Sequence, residues 1–351
     1  MNSPTTSPQQ TELSPILGSH LSQFDTEPLE AFSFTDWLWR AINGELDLSI
    51  AGIAEGLIRN FFNELWLNAA LIRQLLLIAV LSALIRCLSE SFKTKSVGEL
   101  GFYVSYIMII ATIFTSFRMS AGILMDLVTT TTSMMEAAVP LMISLTAMSG
   151  NFTGAAVLNP ILFMGLTLMS RFISYIFIPL VTGTALLHIA NHLTEGSIFT
   201  RTVDLMKSVT KTALRFMVFL FLSLLALHKI SAPIANNLAL RTARAAASAV
   251  PLVGNALNSA MDTVIHISAA ARSGVLVALI IVISAAVSLP LIKLAAFMAI
   301  YKVTSALIQP ICDERMVKCL DGLGDFISML LAAGAMVATM FIFTAVIMLT
   351  F

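Results

Sequence analysis

His188 and His192 are the residues whose spacing first suggests chemistry. Four apart, they put two imidazoles on one helical face, as a metal pair would be. The metalloprotease pattern needs Glu directly after the first His; here Ile189 stands there, and no third ligand is near in the chain. The pair therefore reads as packing or interfacial. Asp313 and Glu314, with Arg315 and Lys318, read as a solvated helix entry rather than a carboxylate pair for acid–base work. The chain has no P-loop, dinucleotide fingerprint or nucleophile elbow. No catalysis and no cofactor is predicted.

A second group is polar rather than reactive. Residues 236–262 hold Asn237, Arg241, Arg244, Pro251, Asn255, Asn258 and Asp262 among many Ala, Gly and Ser. Small residues four apart let helices approach closely, and Asn, Ser and Thr can then bond across them. Arg241 and Arg244, three apart, share a face. Two readings stay open: dry helix contacts with cross-helix hydrogen bonds, or the polar lining of a conduit. Glu136, four before Pro140, and Asp262 are the acids set most clearly in apolar surroundings, where an ionisable group is a site hypothesis by default. Arg171 and Lys293 also fall inside apolar stretches. A charge at mid-membrane costs about 2.5–3.5 kcal/mol on insertion scales, so both should face protein or water.

The elements that must carry these residues are membrane helices. Of 351 residues, 58% are hydrophobic and 11% charged, too few charges to coat a soluble domain. Mean hydropathy is +0.90. Residues 100–117, 137–170, 273–292 and 326–351 contain no charge, and about 20 apolar residues suffice to cross the hydrocarbon. The formal net charge of zero gives no bias toward nucleic acid. Cys87, Cys312 and Cys319 form no disulfide framework and read as small apolar residues in helices.

Along the chain, residues 1–30 read as a disordered polar tail without the basic and apolar regions of a signal peptide. Residues 31–65 mix aromatics, aliphatics and acids as an amphipathic extracytoplasmic or interfacial segment, and 66–351 as the transmembrane domain. The expected fold is all-α, with six to eight membrane helices and two re-entrant or interfacial segments, one Thr-rich at 126–150 and one Ala-rich at 234–262. Long helices are expected at 154–192 and 272–307, interrupted by Pro179 and Pro290. Pro140 and Pro251 lie 111 apart, as do Pro179 and Pro290, and Ala138-Val139-Pro140-Leu141 returns as Ala249-Val250-Pro251-Leu252. That is a candidate internal repeat of the kind common in transport folds.

The linkers at 86–99, 195–215 and 309–321 collect Arg86, Lys93, Lys95, Arg201, Lys207, Lys211, Arg215, Arg315 and Lys318. The positive-inside rule puts all three in the cytoplasm, which gives about six crossings with both termini outside. Lys229, Arg241, Arg244 and Arg272 then fall on the outer side.

Further stretches carry a family resemblance. Residues 239–244 (Ala-Leu-Arg-Thr-Ala-Arg), 250–254 (Val-Pro-Leu-Val-Gly), 261–264 (Met-Asp-Thr-Val), Ile300-Tyr301-Lys302, 309–315 (Gln-Pro-Ile-Cys-Asp-Glu-Arg), and Met134-Met135-Glu136-Ala137 leading to Pro140 resemble the stage III sporulation protein AE family, in order from about residue 66 to the end. The resemblance implies a polytopic component of the channel-like apparatus between mother cell and forespore. It also implies partners from the same operon, including a cytoplasmic ATPase and ring-forming extracytoplasmic proteins, with membrane lipid around the chain and self-association open. The expected function is a non-catalytic subunit of a secretion or feeding channel. A stand-alone secondary transporter and a structural anchor for an extracytoplasmic ring are the rivals.

Overall fold

Apolar runs this long, with the backbone forced to satisfy its own hydrogen bonds, fold as helices. The computed structural model describes residues 50–91, 95–148, 159–193, 199–248 and 254–350, and among them there is no strand. The helices are α1 (Ile50–Leu67), α2 (Ala69–Ser91), α3 (Lys95–Met148), α4 (Asn159–Phe172), α5 (Ile178–Leu193), α6 (Thr200–Ser248), α7 (Gly254–Ile308) and α8 (Glu314–Thr350). The expected polar tail lies outside the described residues, as does residue 351.

Among the described residues five stretches are long and apolar enough to cross a membrane: Tyr103–Met148, Asn159–His192, Thr200–Leu227, Val277–Ile308 and Glu314–Ile347. The α1–α2 pair, bent by 43°, is a sixth candidate. The bend falls at Asn68, whose Nδ2 donates to the Glu64 carbonyl (2.9 Å) and to Glu64 Oε1 (3.1 Å). A side-chain amide held against the preceding turn competes with the helix ladder there.

One polar segment differs from expectation. The Thr-rich segment does not turn back; it continues α3, a helix of 54 residues and about 80 Å at 1.5 Å per residue. Its hydroxyls bond within the helix, Thr129 to Met125 O (3.0 Å), Thr131 to Leu127 O (2.6 Å) and Thr132 to Val128 O (2.7 Å), so they do not break it. The Ala-rich segment is divided between the end of α6 and the start of α7. The polar stretch before the last span is itself helical from Glu314.

Proline acts unevenly. Just before Pro179 the chain widens into a π turn, Ile173–Phe177, in which the Ile178 N–H bonds back to Ile173 O. The wider turn relieves the clash between a proline ring and the carbonyl four residues earlier. Pro140 and Pro290 instead sit inside unbroken α3 and α7, so Pro179 and Pro290, which share the 111-residue spacing, differ in local geometry.

α8 is the spine. Phe326, Leu330, Ala333, Val337, Phe341 and Ala345 recur every three or four residues and are all buried. α7 and α3 pack on it and on each other. Gly334 marks the convergence: a Cβ there would lie 3.0 Å from Leu291 Cδ2 and 3.3 Å from Leu124 Cδ1. In a membrane such close approach, rather than escape from water, holds helices together. Two buried tyrosines fix depth between helices, Tyr106 donating to Ile189 O (3.1 Å) and Tyr301 to Ile113 O (3.3 Å).

Candidate functional site

A cavity of about 560 Å³ opens where the end of α5, the start of α6, the end of α7 and the start of α8 meet. Two of the basic linkers join these elements, so the structure gathers them at one end of the bundle. The middle of α2 packs against the start of α8 here, with Cys312 Sγ reaching Ala79 O (3.5 Å) and Ser82 Oγ reaching Met316 Sδ (3.8 Å).

Local capping builds the rim. Asn191 Oδ1 accepts the Phe199 N–H (2.7 Å) and its Nδ2 donates to Thr200 Oγ1 (3.1 Å), tying the end of α5 to the first turn of α6. Asp313 caps α8: its Oδ1 accepts the Arg315 N–H (2.9 Å) and Arg315 Nε (3.2 Å). Burial, and then the charge of Asp313, push the Cys312 thiol above its ordinary value.

Charge lines the cavity in balance, with Lys207, Lys302 and Lys318 against Asp204, Asp321 and Asp325. Asp321 and Asp325, one turn apart on α8, both grip Lys302 Nζ of α7, at 2.8 and 2.7 Å. Lys207 of α6 stands 3.8 Å from the other oxygen of Asp325 and 4.9 Å over the Phe326 ring, a cation–π contact. Part-exposed pairs of this kind are worth roughly 0–1 kcal/mol each. Their value is positional, because one short stretch of α8 holds α6 and α7 together. Gly322 and Gly324 make room for it: a Cβ on Gly322 would collide with the His188 ring, and one on Gly324 would lie 3.0 Å from Lys302 Cε.

The histidines serve packing here. His192 Nδ1 donates to the His188 carbonyl (2.8 Å) and His188 Nε2 to the Lys318 carbonyl (3.3 Å). Their rings lie 4.4 Å apart, and His188 meets Phe326 edge-on at 5.6 Å. Among the described residues no group of three ligating side chains is placed to hold a metal. The arrangement suits reversible binding of a polar group; it contains no activated nucleophile.

The residues singled out from the sequence lie elsewhere. Glu136 and Pro140 are exposed on α3. Asn237, Arg241 and Arg244 fall on the last third of α6, and Asn255, Asn258 and Asp262 on the first turns of α7; Pro251 lies outside the described residues. Arg171 and Lys293 are exposed, on α4 and α7. Thr131, in the Thr-rich run, is a buried helix contact. Reading 309–321 as a basic linker missed the role of Asp321 and, just beyond it, of Gly322, Gly324 and Asp325. The available signal was two acids at i and i+4, within reach of a lysine on the preceding helix.

Comparison with known proteins gives one family. The profile described as Stage III sporulation protein AE matches residues 32–351. The chain is 26% identical to Stage III sporulation protein AE of Bacillus subtilis (strain 168) over 314 residues, covering 89% of this chain and 79% of that protein. No solved structure matches.

Proposed function

We propose, from the premise that the chain belongs to the stage III sporulation protein AE family, that it is a non-catalytic membrane subunit of a channel-like secretion or feeding apparatus between mother cell and forespore. The observation that carries this reading is a family match over nearly the whole chain, joined to a bundle in which two of the basic linkers meet at one charged, open end. Placed in the cytoplasm by the positive-inside rule, that end faces the compartment of a cytoplasmic ATPase. The far end, where α6 ends and α7 begins, then faces extracytoplasmic ring proteins. Six crossings with both termini outside satisfy this orientation. The membrane is that of the mother cell around the forespore, and Glu136, Pro140, Asn237, Arg241, Arg244, Pro251, Asn255, Asn258 and Asp262 are its candidate conduit or helix-contact residues.

The cavity favours one alternative, a stand-alone permease that binds a small polar solute. The experiment is replacement of the gene in an endospore-forming host, counting heat-resistant spores, with membrane copurification of the operon products. Loss of spores together with recovery of partner subunits supports the apparatus. Normal spore counts, or solute uptake by the purified chain alone in vesicles, would overturn it.

A further inference from the structure

We propose that this chain self-associates, with Asp126 on the outward face of α3 in one copy paired with Lys293 on α7 of a second copy. The inference rests on reading the chain as membrane-spanning.

α3 shows an unusual outer surface for a membrane helix. Between Arg118 and Ser144 its exposed residues are Met119 and otherwise polar or proline, with Asp126 and Glu136 among them. Pro140 adds a further acceptor, because it has no N–H to give the Glu136 carbonyl one turn before it. Neither acid makes an ion pair with another described residue, and neither do the exposed bases Lys293 and Arg171.

Depth connects them. Leu124, Leu127 and Leu291 all meet at Gly334, so Asp126 and Lys293 lie within about one helical turn of a common level. The Tyr301–Ile113 bond shows that α3 and α7 run antiparallel from there. The unpaired acid Asp126 therefore has an unpaired base, Lys293, at its own level on the outer surface.

Lipid cannot serve these groups, and an apolar partner helix serves them no better. Copies of one protein in one bilayer share depth automatically, because symmetry relates them by rotation about the membrane normal. Opposite charges at matched depth are what such copies need, whereas an unrelated partner would match only by coincidence.

The test uses two differently tagged full-length copies, with Cys87, Cys312 and Cys319 replaced by Ser, in a bacterial membrane lacking the sporulation operon. Thr130→Cys in one copy and Leu289→Cys in the other sit one turn outward from the proposed pair and leave its charges intact. Oxidation should give a disulfide linking the two tags, while Leu222→Cys on α6 with Leu289→Cys gives none. Asp126→Lys and Lys293→Asp should each cut copurification of the tags by about tenfold or more, as loss of a desolvated charge pair does. Both changes in one chain should restore it. Absence of the disulfide, single swaps without effect, or a double swap no better than the singles would overturn the contact. So would a crosslink, in a sporulating host, only to a different polypeptide. Spore counts are scored separately: no self-association with sporulation intact removes this contact alone, and self-association without any spore defect removes the apparatus reading alone.

Discussion

Two outward faces of the bundle differ completely in chemistry. On α6 the exposed residues from Phe216 to Leu227 are Phe216, Val218, Phe219, Leu220, Leu222, Ala226 and Leu227, all apolar. On α3, at the level where Gly334 of α8 packs against Leu124, the exposed residues are Asp126, Thr129, Thr130, Ser133 and Glu136. Both helices pass the same hydropathy test for crossing a membrane. Average hydropathy hides the distinction because the buried side of α3, with Leu124, Leu127, Met135, Ala138 and Met142, is apolar enough to carry the mean. α6 offers lipid what lipid accepts, and α3 offers it unpaired acids. The difference teaches that exposure in an isolated chain means lipid at one face and something wetter or more polar at the other.

The harshest way to break the comparison is to put the same charge on each face. Phe219→Asp should cost about 2.5–3.5 kcal/mol at membrane depth and deplete the protein from the membrane fraction. Thr130→Asp, on the α3 face, should leave its level unchanged. Equal loss in both would mean that the α3 face meets lipid after all.

Moving α3 off its spine comes next. Gly334→Leu drives a side chain into Leu291 and Leu124. It should cost about 1–3 kcal/mol, as overpacking does, seen as a lower Tm in detergent.

A milder probe compares access. With the native cysteines replaced, Ser133→Cys should react at least about tenfold faster with a charged maleimide than Leu222→Cys, reflecting solvation of the thiolate. Removing Cys87 matters most for background, because it is exposed, whereas Cys319 is buried.

The smallest effect is expected at the charged end. Asp321→Asn or Asp325→Asn alone leaves Lys302 one carboxylate and should lower stability by roughly 0–1 kcal/mol. The double change should cost more than the two singles together and lose its effect at high salt. If the singles add simply, Lys302 is not the shared tie.

Much of this was legible beforehand for a reason that can be stated residue by residue. A charge-free run such as 326–351 has one stable solution in a bilayer, so the all-helical membrane class follows from composition and run length. Pro179 announced a disturbed turn, and two of the basic linkers, 195–215 and 309–321, do meet at the cavity. The re-entrant reading of the Thr-rich run failed because hydroxyls that look polar in sequence return their bonds to the same helix, as Thr131 does to Leu127.

What the sequence by itself determined is therefore local: which residues are helical, where apolar runs end, and which residues share a face at i and i+4. What only tertiary structure decided is which face turns inward and which levels coincide. Lys302 meets Asp321 and Asp325 across 19 and 23 residues of chain, and Asp126 comes level with Lys293 because three helices close on Gly334. The physical reason is that helical periodicity fixes angles within one rod, while the rotation and depth of one rod against another depend on side chains from both.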